Sequence, residues 1–124
     1  MPNGNRPLNF VSSSPRNGAT GVSLNPRIRT TFNLNVTADS VWDNNRTKFR
    51  LFRGATRVDI RVIRSGIFAQ RRNLYIRPRN SLRPDTRYRL VILPGLRARN
   101  GARLGETVTI RFRTRRTVTP FPQE

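Results

Sequence analysis

A chain of 124 residues is long enough for one ordinary domain with its own apolar core, and the complete absence of cysteine excludes a disulfide framework and thiol chemistry. There are 25 basic residues against six acidic ones, a formal net charge of +19, and every basic residue except Lys48 is arginine. Histidine is absent too, which excludes the commonest acid–base, nucleophilic and zinc-binding arrangements.

Residues 1–13 are rich in Pro, Asn and Ser and read as an extended N-terminal arm. Met1 to Pro7 lack the apolar stretch of a secretory signal, which leaves the localisation unknown, since a leader removed earlier leaves no trace. Phe10 and Val11 are candidate assembly anchors: an arm can add a strand to a neighbouring sheet edge, or the same two residues can pack on their own domain.

Residues 14–116 read as a β-sandwich of about seven short strands. Asn17-Gly18 and Thr20-Gly21 are turn signals, after which Ile28, Thr30 and Phe32 alternate with Arg27, Arg29 and Thr31, the period of a half-buried strand. Ala38 to Asn45 break that period. Asp39 or Ser40 there caps a short helical turn carrying Val41 and Trp42, with Trp42 plugging one end of the sandwich.

Phe49 and Leu51 point inward before a turn at Arg53-Gly54-Ala55-Thr56, and one further strand places Val58, Ile60 and Val62 inward. Leu74 and Ile76 continue the core up to Pro78; Tyr88, Leu90 and Ile92 follow; Val108, Ile110 and Phe112 close it in the cleanest alternation of all. Residues 117–124, with Pro120 and Pro122, read as an extended C-terminal tail. The longest apolar run, Leu90 to Leu93, is far too short to span a bilayer.

The arginines follow the strand period. Arg27, Arg29, Arg50, Arg61, Arg87, Arg89, Arg111 and Arg113 all fall opposite apolar positions and so belong to outer faces. The candidate anion-binding set is Arg27, Arg29, Arg71, Arg72, Arg77, Arg87, Arg89, Arg111 and Arg113. Guanidinium presents a planar fork of donors that matches phosphates and carboxylates, so the bias points to a polyanion or an acidic protein or glycan partner; a general arginine preference is the bland alternative.

Three separated segments resemble one family. Ser14-Pro-Arg-Asn-Gly-Ala-Thr-Gly-Val22 followed by Asn25-Pro-Arg-Ile-Arg-Thr-Thr-Phe32 is similar to the opening of the bacterial Ig-like domains of the S-layer-protein type. Leu74-Tyr-Ile-Arg-Pro78 and Leu82-Arg-Pro-Asp-Thr-Arg-Tyr88 resemble that family's Leu-x-Pro-x-Thr-x-Tyr signature, and Ile110-Arg-Phe-Arg-Thr114 its last strand. Physically, Pro84 sets a loop and Tyr88 opens a strand, with its ring in the core and its hydroxyl reaching backbone as in a tyrosine corner.

The resemblance implies an all-β, immunoglobulin-like β-sandwich acting as a spacer, adhesion or self-association module at the cell surface, without cofactors or catalytic residues. The chain departs from the family's pattern at Arg97-Ala-Arg-Asn-Gly101, where many relatives carry an Asp-rich loop, so it lacks the carboxylates for a calcium site there.

The six acids Asp39, Asp43, Asp59, Asp85, Glu106 and Glu124 are scattered and form no paired-carboxylate motif. Asn35-Val-Thr37 and Asn45-Arg-Thr47 match glycosylation acceptors by spacing, and are read as chance in an Asn-rich chain. The expectation is a non-enzymatic structural or adhesive module, a homo-oligomer or the partner of an acidic surface. Nonspecific nucleic-acid binding is the alternative: phosphates would meet Arg71, Arg72 and Arg77, and bases would stack on Phe68 or Tyr75.

Overall fold

The computed structural model describes residues 6–116, which form two β-sheets packed face to face. One sheet has the order β1-β3-β7-β6, built from β1 (Phe10–Ser14), β3 (Ile28–Phe32), β7 (Asn73–Pro78) and β6 (Ile60–Ile63). The other has the order β2-β9-β8-β4-β5, built from β2 (Ala19–Val22), β9 (Val108–Thr114), β8 (Arg87–Ile92), β4 (Phe49–Arg53) and β5 (Thr56–Val58). A short helix, α1 (Asp39–Asn45), closes one end.

The inward positions are those the alternation marks: Ile28, Phe32, Leu74 and Ile76 from one sheet meet Phe49, Leu51, Leu90, Ile92, Ile110 and Phe112 from the other, all buried. Thr30 shares the inward face of β3 and is fully buried, its hydroxyl donating to the Leu74 carbonyl at 2.9 Å. A buried hydroxyl without that acceptor would cost stability.

Among the described residues there are nine strands where about seven are expected, because one expected strand divides between the sheets and the expected N-terminal arm contributes to β1. The run that places Val58, Ile60 and Val62 inward reads as one strand, yet its pairing changes partner in the middle. Val58 lies opposite Leu51 of β4, whereas Ile60 lies opposite Pro78 of β7 in the other sheet. The chain crosses at Asp59 while Val58, Ile60 and Val62 keep packing against the core, so the apolar period survives the crossing and hides it. The same happens at the other edge, where β1 pairs with β3 and the following β2 runs parallel to β9.

The described part of the expected N-terminal arm therefore lies within the sandwich. Leu8 is buried, and residues from Phe10 onward pair with β3. The expected cap of α1 also differs: Ala38 occupies the cap position with no side-chain hydrogen bond. The turn before it is set by Asn35, whose Oδ1 accepts from the Thr37 and Ala38 backbone N–H groups at 2.9 and 3.1 Å. Trp42 is half-buried on the core, with the Arg64 guanidinium 4.8 Å from its ring centre.

Two polar clamps hold the loops. Asn45, fully buried, donates to the Val36 and Arg97 carbonyls at 2.9 and 2.8 Å and accepts from the Arg97 N–H at 2.9 Å, joining α1 to the loops on either side. Its second Oδ1 bond comes from Asn44. At the opposite end, the Tyr88 hydroxyl accepts from the Arg83 N–H at 2.8 Å while its ring stacks on Phe112, the expected tyrosine corner. Thr114 Oγ1 reinforces it, donating to the Arg83 carbonyl and accepting from the Thr86 N–H.

These contacts also fix where the chain passes in and out. Pro7 is held by Asn33, and Arg6 by Asn100, at the end that carries α1. Thr114 and Arg115, where β9 ends, bond to Thr86, Asp85 and Val22 at the other end.

Candidate functional site

In β8 and β9 the strand alternation that buries Tyr88, Leu90, Ile110 and Phe112 forces Arg87, Arg89, Arg111 and Arg113 onto the outer face of the five-stranded sheet. The register sets Arg87 opposite Arg113 and Arg89 opposite Arg111, two like-charged pairs side by side. Directly opposed Cα atoms in such a ladder lie about 4.5–5.5 Å apart, so the guanidinium groups share one patch.

The patch is only partly neutralised. Arg113 forms a fork with Asp85, Nη2 and Nε lying 2.8 and 2.9 Å from Oδ1. Arg89 extends over the Phe52 ring at 4.4 Å and donates to the Gly54 carbonyl at 3.2 Å. Arg87 and Arg111 make no side-chain hydrogen bond or ion pair among the described residues. An open depression of about 530 Å³ lies on this face, with Ala19, Thr20 and Phe52 in its wall and the four arginines around it. It can seat an anionic group, with a flat apolar surface beside the charge.

The remaining candidate arginines lie elsewhere. Arg27, Arg29 and Arg77 belong to the outer face of the four-stranded sheet, where Arg29 is opposite Tyr75 and Arg77 opposite Arg61. Arg71 and Arg72 sit in the loop before β7, roughly 16 Å along the strand from Arg77, so these three do not share a patch.

Tyr75 is buried at 6% exposure beneath the Arg27 guanidinium, 4.1 Å from its ring centre, and so offers no face for a base. Phe68 is the reverse, 72% exposed in the 3₁₀ turn Phe68–Gln70 with Arg71 against its ring at 4.1 Å. Ile67 beside it is 60% exposed, and this apolar tip lies at the α1 end of the sandwich.

The candidate anchors also separate. Phe10 packs edge-on against Phe32 of its own sandwich, centroids 5.8 Å apart. Val11, at a bulge in β1, points outward at 59% exposure.

Sequence reasoning assigned no role to Asn45 beyond a chance acceptor motif. Its amide nitrogen is wholly occupied by carbonyls, and the signal that would have found it is a polar residue at a position where helix and loops must meet. Asp39, Asp43 and Asp85 are each paired with an arginine. Among the described residues no three His, Cys, Asp or Glu side chains gather to hold a metal. No described helix is long and apolar enough to cross a membrane.

A family model described as a bacterial Ig-like domain matches residues 4–114. No curated protein matches the chain in sequence. Among solved structures, the surface layer protein SbsC, domains 1–6, is similar over 92% of this chain at 16% identity and a TM-score of 0.62, and the chain spans only 14% of that protein. CopC from Methylosinus trichosporium OB3b is similar over 92% of this chain and 99% of its own length, at 11% identity and a TM-score of 0.60. The native conformation of E. coli alpha-2-macroglobulin is similar over 90% of this chain and 6% of its own length, at 15% identity and a TM-score of 0.61. At these identities the likeness concerns the fold, an immunoglobulin-like β-sandwich.

Proposed function

This chain belongs to the bacterial Ig-like domain family, and from that premise we propose that it is a non-catalytic structural or adhesive module that joins end to end in an extracellular assembly. The observation that carries this reading is the path of the chain, which is held at the α1 end around Arg6 and Pro7 and leaves at the opposite end beyond Thr114. A unit with its two connections at opposite ends extends a string rather than closing on itself.

Charge supports the same geometry. Outer faces lined with arginine repel copies of themselves, which disfavours face-to-face pairing and leaves the ends as contacts. At the α1 end the exposed Ile67 and Phe68 supply the apolar area such a contact needs. The resemblance to SbsC supports a surface location.

Light scattering tests this. The full chain should gain mass with concentration, and Ile67→Ser with Phe68→Ser should return it to a monomer without loss of fold. A monomeric mass at every concentration would sink the proposal.

A second reading is favoured by the opposed arginine pairs of β8 and β9: sequence-independent binding of a polyanion, including nucleic acid, on that face. Affinity would then fall steeply with salt and drop most when Arg87 and Arg111 are reversed. The burial of Tyr75 removes one of the two stacking rings this reading would use.

A further inference from the structure

The crossing at Asp59 leaves a gap in the side of the sandwich. Leu51 opposite Val58 is the last pair between β4 and β5; beyond it the chain has gone to the other sheet, so among the described residues no strand pairs with Phe49 and Arg50 on the side of β4 away from β8. Arg50 covers that edge itself, its Nη1 donating to the Thr47 and Phe49 carbonyls at 2.6 and 3.0 Å. This blocks an open sheet edge against another strand.

Between β4 and β6 the gap forms a cleft of about 500 Å³ lined by Arg46, Arg50, Arg57, Arg61 and Arg79, with Ile60 and Val62 among its apolar lining. No acidic residue lines it. Arg46 has a 3.4 Å contact to Asp43, but both side chains are largely exposed and the pair is weak. Asp59 takes part in no ion pair among the described residues. A space of 500 Å³ is about 10 Å across, comparable to the screening length at roughly 0.1 M salt, so the five guanidinium groups act on one volume together.

We propose that this cleft binds a small polyanion carrying two or more adjacent phosphate or sulfate groups. The volume lies within the range of small-molecule sites. With Arg50 committed to backbone carbonyls and Arg46 weakly held by Asp43, Arg57, Arg61 and Arg79 present donor forks with no side-chain partner among the described residues. A tetrahedral oxyanion offers three acceptor oxygens to neighbouring forks where a carboxylate offers two, and linked oxyanions match several forks at once. The site is separate from the β8–β9 face and stands whether or not the chain assembles.

The test is calorimetric titration of the full chain at physiological ionic strength with tripolyphosphate, with a polysulfated disaccharide to distinguish phosphate from sulfate as the natural group, and with citrate as the carboxylate control. One tripolyphosphate or disaccharide should bind per chain, more tightly than citrate. The pair Arg57→Glu and Arg61→Glu should weaken binding at least about tenfold, against less than about threefold for Arg99→Glu and Arg103→Glu, which change the net charge equally but do not line the cleft.

Thermal melts check that each variant is folded. If the glutamate pair does not fold, Arg57→Lys with Arg61→Lys decides, since it keeps the charge but removes the forks and should still weaken binding. Equal losses at both pairs, citrate binding as tightly as tripolyphosphate, an unaffected lysine pair, or no saturable binding would each overturn the proposal.

Discussion

Arg89 of β8 and Arg111 of β9 stand directly opposite each other on the outer face of the five-stranded sheet, beside the second like-charged pair of Arg87 and Arg113. Like charges directly opposite in a ladder are destabilising, and of these four arginines only Arg113 has a carboxylate partner among the described residues. The substitution Arg111→Glu is therefore expected to stabilise the domain by roughly 0.5–1 kcal/mol at low salt, with most of the gain lost in high salt. For the same reason the unaltered chain should melt at a higher temperature as salt is added. Thermal unfolding of both proteins across a salt series checks the pair; a wild-type midpoint that falls with salt would contradict it.

The tyrosine corner makes a second prediction. Tyr88→Phe keeps the stack on Phe112 but leaves the Arg83 N–H without its acceptor, at an expected cost of about 1–2 kcal/mol. Thr114→Val strips partners from the Arg83 carbonyl and the Thr86 N–H in the same loop, with a similar cost. Because both clamp one segment, the double variant should lose less than the sum of the two, which urea unfolding of the four proteins measures.

Asn45 is expected to be the most sensitive polar position. Asn45→Leu removes the partners of the Val36 and Arg97 carbonyls and the Arg97 N–H, buried or half-buried as they are, and should cost on the order of 3–5 kcal/mol. A shift of the urea midpoint equivalent to less than about 1 kcal/mol would show that the loops do not depend on this amide.

The turn between β4 and β5 tests backbone conformation alone. Gly54 has φ of +59°, and a Cβ placed there would meet nothing within 4 Å, so Gly54→Ala should cost about 1–2 kcal/mol purely through the left-handed backbone. Equilibrium unfolding is the measurement, and a neutral result would mean that the turn relaxes to another type.

What the sequence made legible was whatever strand alternation encodes. Ile28 to Phe32, Tyr88 to Ile92 and Val108 to Thr114 could be assigned to faces because a side chain in a strand has only two directions to point. The Leu82 to Tyr88 signature likewise carried its hydroxyl contact, since the partner lies five residues away.

Sheet membership was not legible. The alternation of Val58, Ile60 and Val62 is identical whether the chain stays in one sheet or crosses at Asp59, and the arginine cleft exists only because it crosses. Phe10 was ambiguous for a related reason: an apolar residue in an extended segment packs equally well at home or on a neighbour, and only the position of Phe32 decides. Nor does local sequence reveal that the arginines of β3 and β7 face away from those of β8 and β9, because that depends on strand order.

The route of the chain has a mechanical corollary. Tension between the two ends is received by β1 in one sheet and by β9 in the other, and acts along the strands rather than across them. The β1–β3 ladder and the ladders flanking β9 are then loaded in shear, so their hydrogen bonds must yield together instead of peeling apart in turn. A domain pulled from these two ends should fail first by the detachment of β1, the outermost strand of its sheet.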